Sequence, residues 1–351
     1  MPPSITRRVC ELCRAAAFVV WAAPVAAQRA DVRSLEATVR AITTEYNGET
    51  GVAVEHIESG RAFAINGHKR FPLASVSKLG IMLEAFAQVE EGKFTLADRV
   101  EVTAEQYHPW GGIMSSFDIG LQPTVRDVIF WMIVQTDNLA TDIMFAKVGG
   151  GANIRARLRG LGLDEFSVDR SSRDLLLQYY GFPELIPKKL TREEYRTVSA
   201  AFSKIAQERL AIARVHGPIP EAVQVYLRDP RDTGSPLHLN LFLVKMFRGE
   251  LVSPAASRQM LDIMLQTRTG RAGWVAGAKL VGLLPAGTAV AHKTGDWPTA
   301  NNDVGIIYLP DDRGHVAISL LTTNMNEDSA VSAHMIARIA RAVYDFFVAS
   351  P

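Results

Sequence analysis

The chain has 351 residues, of which 48% are hydrophobic, and it carries 38 basic against 37 acidic side chains. A hydrophobic content this high excludes a largely disordered chain. The near-even charge balance argues against proteins that bind nucleic acid or coat a membrane surface, because these carry a strong excess of basic residues. We therefore expect a small-molecule substrate as the binding partner.

The first 27 residues have the pattern of an export signal. Three arginines, Arg7, Arg8 and Arg14, precede an apolar run over residues 15–27 that ends in small residues, as signal peptidase requires. The run is too short to act as a membrane-spanning stop-transfer helix. We expect its removal to leave an exported chain, residues 28–351, that is periplasmic or secreted, has no stable membrane span and is a monomer.

Removal of this leader also removes every thiol. Both cysteines, Cys10 and Cys13, lie in the leader, so the remaining 324 residues contain none. This excludes disulfides, zinc-thiolate sites and cysteine nucleophiles from the mature chain. The eight histidines include no His-Glu-x-x-His pair, so we predict neither a metal site nor a cofactor.

The two ends of the chain predict one antiparallel sheet. A helix over residues 34–46 is followed by strand patterns at 52–57 and 61–65, and the C-terminal part has strand patterns at 288–293, 303–309 and 315–323 before a final helix at 329–348. A lone hairpin is barely stable. We therefore expect the strands of both ends to pair into one sheet, which the two end helices cover, in an α+β fold.

The middle of the chain predicts helices and loops only. On this interpretation residues 28–351 form one two-lobed domain, in which 28–74 and 285–351 make an α/β lobe and 75–284 a helical lobe. A cleft between two lobes is a natural place for a small-molecule site. Within the helical lobe, prolines bracket a helical pattern that opens with a capping box at Thr191 and Glu194, so we interpret residues 175–228 as an insertion.

Ser75 and Lys78 could form a nucleophile and its base. They lie three residues apart at the start of a helical pattern, so the hydroxyl and the amine share a helix face. A serine at a helix start lies beside free backbone N–H groups, and a desolvated lysine can take its proton. The alternative is a helix-capping serine followed by a surface lysine.

Two further short patterns carry little weight alone. Thr136-Asp137-Asn138 follows a helical stretch and is also an ordinary turn or N-cap. Lys293-Thr294-Gly295 falls on a predicted strand, where a lysine and a hydroxyl could bind a substrate carboxylate. Arg268-Thr269-Gly270 shows how easily such triplets arise by chance.

All three patterns, in this order, resemble the motif set of class A β-lactamases and penicillin-binding proteins. Further stretches, at residues 162–170, 229–233, 249–253 and 284–287, are similar to that family, so the resemblance covers about residues 30–348 apart from the insertion. It implies a β-lactamase-like fold and a serine hydrolase that opens the β-lactam ring through an acyl-enzyme. The absence of Gly-x-Ser-x-Gly argues against an α/β-hydrolase.

The resemblance assigns a role to each matching position. Ser75 is the acylated nucleophile, Lys78 its base, and Thr136 the hydroxyl that passes a proton to the leaving nitrogen. The substrate-binding groups are Asn138 for the side-chain amide, Lys293 and Thr294 for the carboxylate, Gly295 for close approach, and the backbone N–H of Asp296, which forms the oxyanion hole with that of Ser75. Trp110 is either the aromatic wall of the cleft or an ordinary core residue.

The chain departs from the family at the deacylation base. The family places a glutamate and an asparagine where this sequence has Ser172 and Leu176, and Glu-x-x-Leu-Asn occurs nowhere. Asp174 or Glu184 could replace the missing carboxylate, although a solvated surface position is the more common one for an acidic side chain. Otherwise the acyl-enzyme is long-lived, as in a penicillin-binding D,D-peptidase or a covalent sensor, or the substrate is an ester or peptide that deacylates by another route.

Asp296 is a second departure, because the family usually has a small residue there. A carboxylate facing the cleft would repel an anionic substrate and predicts weak turnover of ordinary penicillins. The alternative is that Asp296 points to solvent or pairs with Lys293.

Overall fold

The computed structural model describes most of the chain beyond the predicted export signal. The described residues are 32–103, 106, 110–189, 191, 193, 194, 197, 200, 204, 221–271, 278–297, 300–323 and 329–350. The predicted signal at 1–27 lies outside these ranges. So do most residues between 190 and 220, which form the central part of the insertion predicted at 175–228. Within the described ranges, no helix combines the length and the apolar character needed to cross a membrane.

A five-stranded antiparallel sheet joins the two ends of the chain, as predicted. Its strands are β1 (Glu49–His56), β2 (Ala62–Ile65), β5 (Val290–Trp297), β6 (Ala300–Tyr308) and β7 (His315–Thr323). The spatial order is β2-β1-β7-β6-β5, so the first and last strands of the chain are neighbours. Their register pairs Gly51 with Leu321 and His56 with Val316. Strand β5 extends four residues past the predicted end and so includes the whole Lys-Thr-Gly triplet.

Alternate residues of the sheet face two hydrophobic cores. In β7, Val316, Ile318 and Leu320 contact the core formed with α1 (Val32–Thr44) and the C-terminal helix α10 (Ser329–Ala349). Ala317 and Leu321 face the opposite way, into the larger core. Since both faces are buried, these strands are apolar almost throughout.

The larger core is enclosed by helices from the middle of the chain. These are α2 (Lys78–Glu90), α3 (Val125–Val134), α4 (Asn138–Lys147), α5 (Gly150–Gly160), α8 (Pro236–Arg248) and α9 (Pro254–Met264). The prediction of helices and loops alone was wrong at one point. Strand β4 (Thr233–Gly234) pairs with β3 (Phe71–Pro72), just before the Ser75 turn.

Two helices at the ends of the predicted insertion pack against the sheet. Helices α6 (Ser172–Tyr180) and α7 (Glu221–Arg228) contribute to a small core that includes Trp297 of β5. Tyr179 stacks on Trp297 with ring centroids 4.5 Å apart. The predicted capping box is present, because Thr191 N–H donates to Glu194 and Glu194 N–H donates to the Thr191 hydroxyl.

Candidate active site

The structure brings the first two sequence patterns together around the Lys78 amine, and the third joins them through Thr136. Lys78 Nζ lies 3.0 Å from Ser75 Oγ, 3.0 Å from Thr136 Oγ1 and 2.8 Å from Asn138 Oδ1, and it also donates to the Thr136 carbonyl at 2.6 Å. An ammonium has three protons for these four acceptors. The neutral amine instead has a lone pair to accept the proton of the Ser75 hydroxyl, which is the polarity that a general base needs.

Ser75 lies in a tight turn before the helix rather than in the first turn of α2. Residues Ala74–Ser77 form a 3-10 turn, and Ala74 has a φ of 49°, in the left-handed region that alanine rarely adopts. Asn302 of β6 holds this turn in place, because its side-chain amide donates to the carbonyls of Pro72 and Leu73. The surrounding hydrogen bonds therefore maintain a strained backbone at the proposed reacting residue.

Burial shifts the protonation equilibrium of Lys78. Its side chain is 1% exposed, and the desolvation lowers the pKa of Lys78 to about 7 against the opposing charges of Asp137, Asp142 and Asp296. A substantial fraction of the amine is therefore neutral near pH 7, whereas an ordinary lysine is almost fully charged.

Thr136 connects the two lysines of the site. Lys293 Nζ donates to Thr136 Oγ1 at 3.0 Å and to the Thr294 carbonyl at 2.8 Å. Burial, followed by the charge of Lys78, lowers the pKa of Lys293 well below its usual range. Thr136 has a φ of 54°, so its backbone is also in the left-handed region. This conformation places one hydroxyl within hydrogen-bond distance of both amines.

Strand β5 approaches the Ser75 turn closely, and Gly295 permits this. A Cβ atom at position 295 would lie 2.4 Å from the Leu73 carbonyl oxygen and 3.1 Å from the Val76 nitrogen. The sequence suggested that this glycine leaves room for substrate. The structure gives a different reason, which is the packing of β5 against the turn that carries Ser75.

Thr294 is held by a residue that the sequence analysis had dismissed. Its hydroxyl lies 2.6 Å from the hydroxyl of Thr269, and both side chains are buried. Thr269 therefore supports Thr294 from the buried side of β5, although the triplet itself does not line the cleft.

Asp296 pairs with a lysine that the sequence analysis did not consider. The Asp296 carboxylate bonds the ammonium of Lys279, which is fully buried and also donates to the Asn302 carbonyl at 3.2 Å. The alternative of pairing with Lys293 was therefore wrong. The Asp296 side chain is 31% exposed and lines the cleft, and its carboxylate bonds Lys279 and does not point freely to solvent.

The cleft beside Ser75 encloses a volume of about 80 Å³ and has a mixed lining. Apolar side chains on one wall come from Leu175, Leu176 and Trp297. Trp297 is the aromatic residue of this lining, whereas Trp110 reaches the site through its main chain, where its carbonyl accepts a hydrogen bond from Asn138 Nδ2 at 3.0 Å.

Ser172 lies in the cleft, where the resemblance predicted the substituted base. Its backbone N–H donates to Asp142 Oδ1 at 2.6 Å, so a carboxylate of α4 fixes the start of α6. Neither candidate replacement carboxylate lines the cleft. Asp174 bonds Arg173 at 2.9 Å, and Glu184 is exposed to solvent. Among the described cleft-lining residues, Asp296 supplies the single carboxylate.

One group of described side chains has donors close enough for a metal ion. The donor atoms of His68, Glu165 and His238 lie within 4.8 Å of one another, and none of these residues lines the cleft. However, the Glu165 N–H donates to His238 Nδ1 at 3.2 Å, which places the ring proton on Nε2, the nitrogen that faces Glu165. A zinc ligand needs that nitrogen's lone pair, so the group is better described as a hydrogen-bonded cluster.

Sequence reasoning missed the residues that support the site from behind. Lys279 and Asp142 lie in no recognisable motif. Asn302 did leave a signal, because Asn301-Asn302-Asp303 is an uninterrupted polar run directly before an apolar strand. The predicted strand begins only at Asp303, whereas β6 begins at Ala300 and includes the whole run, whose three side chains are buried.

Comparison with known proteins agrees with this geometry. A family profile described as "Beta-lactamase enzyme family" matches residues 34–347. Extended-spectrum beta-lactamase PER-1 of Pseudomonas aeruginosa is 26% identical, over 89% of this chain and 87% of that protein. A beta-lactamase of Bacteroides uniformis is 26% identical, over 93% and 95%. The crystal structure of a beta-lactamase from Chitinophaga pinensis superposes with a TM-score of 0.68 at 28% identity, covering 89% of this chain and 99% of that one.

Proposed function

The chain belongs to the beta-lactamase enzyme family, and from this premise we propose that it is a serine hydrolase that opens the β-lactam ring through an acyl-enzyme on Ser75. The observation that carries the proposal is the 3.0 Å contact between Ser75 Oγ and the buried amine of Lys78. Ser75 has no other described base at hydrogen-bond distance.

Acylation follows from the contacts around Lys78. The neutral amine takes the Ser75 proton while Oγ attacks the lactam carbonyl carbon, and the carbonyl oxygen becomes an oxyanion. The backbone N–H groups of Ser75 and Asp296 are proposed to stabilise that oxyanion, because Gly295 brings β5 against the Ser75 turn. When the C–N bond breaks, the Thr136 hydroxyl gives its proton to the leaving nitrogen and regains one from Lys78.

Substrate binding is assigned to the strand and the helix that flank these groups. Lys293 and Thr294 are proposed to bind the substrate carboxylate, and Asn138 the side-chain amide. Asn138 is already fixed from two sides, by Lys78 through its oxygen and by the Trp110 carbonyl through its nitrogen. Leu175, Leu176 and Trp297 offer an apolar surface to the acyl side chain.

A second candidate function concerns the fate of the acyl-enzyme. The resemblance aligns Ser172 with the family's glutamate, and neither Asp174 nor Glu184 lines the described cleft as a replacement. This favours slow hydrolysis of the ester. A penicillin-binding D,D-peptidase or a covalent β-lactam sensor would both show this behaviour.

Kinetics with a chromogenic cephalosporin, combined with intact-protein mass spectrometry, test both candidates. Sustained turnover that Ser75→Ala abolishes supports the β-lactamase. A burst followed by a persistent mass adduct supports the slow acyl-enzyme. If the protein shows no turnover and forms no adduct, acylation at Ser75 is refuted. Ser257→Ala, which removes a buried hydroxyl on α9, is the matched control and should behave like the wild type.

We also propose that residues 1–27 direct export to the periplasm or the medium, where the mature protein is a monomer that confers resistance to β-lactams. The apolar run and its small terminal residues support this. Mass spectrometry of the exported protein should give a chain that begins at Gln28, and a chain that retains its leader would contradict the proposal. Light scattering tests the oligomeric state.

A further inference from the structure

The Asp296 carboxylate lies at the edge of the cleft where a substrate anion would bind. It directly follows the Lys293-Thr294-Gly295 triplet on β5, and it lines the cleft together with Ser75, Lys78 and Trp297. With 31% of its side chain exposed, it is partly accessible from the cleft. Lys293 and Thr294 have no exposed surface, whereas Asp296 lines the cleft, so a substrate group in the cleft meets the charge of Asp296 before it can reach either of them.

Lys279 holds the carboxylate there. The Lys279 side chain has no exposed surface, and its ammonium bonds Asp296 and the Asn302 carbonyl. Its backbone is fixed too, because Lys279 N–H donates to the Gly270 carbonyl and Leu280 N–H donates to Asp303. A buried ammonium without a counter-charge is costly, so the pair constrains Asp296 to its place.

The charges around Asp296 come from several elements. Lys78 of α2 and Lys293 of β5 both interact with its charge, and Lys279 bonds it directly. Arg170 also lines the cleft, but its guanidinium bonds Asp232 and Asp229. Asp303 of β6 bonds His292. Among the described residues, Asp296 is therefore the carboxylate that neutralises the buried charge of Lys279.

We propose that Asp296, held by Lys279, is a specificity-determining residue that weakens the binding of acyl donors bearing a carboxylate at the Lys293-Thr294 edge relative to donors that are neutral there. This inference rests on the proposed acylation of Ser75. The carboxylate of Asp296 repels a bound anion. It also neutralises the charge of Lys279, which would otherwise attract that anion. Both effects weaken binding of an anion more than they slow the chemical step.

The test compares one cephalosporin as the free acid and as its methyl ester, which differ only in the charge of the carboxyl group. The readout is the second-order rate constant for acylation of Ser75, measured by mass spectrometry or by chromophore release, and expressed as the acid-to-ester ratio. In Asp296→Asn we expect this ratio to rise about tenfold, mainly through KM, on the scale of one partly screened charge pair. Asp262→Asn, which removes an exposed carboxylate outside the cleft, should leave the ratio unchanged.

A double variant keeps the test decisive if Asp296→Asn strands the buried Lys279 and fails to fold. Asp296→Asn combined with Lys279→Met removes both charges, so the ratio should still exceed the wild-type ratio, but by less than in the single variant. A ratio within twofold of wild type in a folded variant overturns the inference while acylation remains intact. If the wild-type protein is acylated by neither compound, the proposed function fails, and the inference fails with it.

Discussion

The approach of strand β5 to the Ser75 turn makes Gly295→Ala the sharpest test of the site's geometry. The new methyl group would lie 2.4 Å from the Leu73 carbonyl oxygen and 3.1 Å from the Val76 nitrogen. Both are backbone atoms, so no side chain can rotate away to relieve the overlap. To restore an ordinary van der Waals distance, strand β5 and the Ser75 turn would have to move apart by about 1 Å.

That separation should affect the chemistry more than the fold. It would move the backbone of Asp296 away from Ser75 and so enlarge the proposed oxyanion hole. A misplacement of about 1 Å costs on the order of 100-fold in rate. Overpacking of this kind costs about 1–3 kcal/mol in the free energy of unfolding. We therefore expect a folded Gly295→Ala protein whose acylation rate is about 100-fold lower than that of the wild type.

Quench-flow with mass spectrometric detection of the acyl-enzyme measures the rate, and urea denaturation measures the stability. Gly160→Ala is the matched control, since a Cβ atom there meets nothing within 4 Å and α5 tolerates alanine. A folded Gly295→Ala protein that acylates within twofold of the wild-type rate would refute the reasoning, because the close approach would then be irrelevant to catalysis.

Three further outcomes are expected. Because burial lowers the pKa of Lys78 to about 7 and only the neutral amine accepts a proton, the acylation rate should rise with pH through about 7, and a flat profile between pH 5.5 and 8.5 would contradict this base. Thr136→Val, which removes the hydroxyl bonded by Lys78 and Lys293, should lower acylation by about 100-fold, while Thr136→Ser retains most of the rate; equal rates in the two variants would exclude a relay. Tyr179→Ala, which deletes the buried ring stacked on Trp297, should cost about 3–5 kcal/mol in the free energy of unfolding by urea titration, and a loss below about 1 kcal/mol would show that the insertion packs loosely.

The sheet was predictable because its pattern is local. Apolar strand residues bounded by turn residues indicated β1, β2, β6 and β7. Because the strands at either end of the chain are too few to form a stable sheet alone, the two sets had to pair with each other. Strand β4 was not predictable, because two residues, Thr233 and Gly234, carry no periodicity. Its existence depends on a long-range pairing with Phe71 and Pro72.

The reacting groups were predictable from motifs, and their supports were not. Ser75, Lys78, Thr136, Asn138 and Lys293 were placed together by spacing and resemblance, and the structure brings them within hydrogen-bond contact in a chain of pairs. The supporting contacts of Lys279 and Asn302 depend on burial and on tertiary hydrogen bonds. A single sequence does not reveal such contacts, because a lone lysine or asparagine is usually a surface residue.

The position of β7 has a consequence for how the chain acquires its shape during synthesis. Strand β7 is synthesised after the other four strands of the five-stranded sheet, yet it is the middle strand, between β1 and β6. Until residue 323 has emerged, the early hairpin and the late hairpin have no edge in common, and each is too small to persist. The sheet can therefore form only after β7 has been synthesised. A premature stop codon within β7 should leave the two hairpins unpaired and should not yield a shortened enzyme.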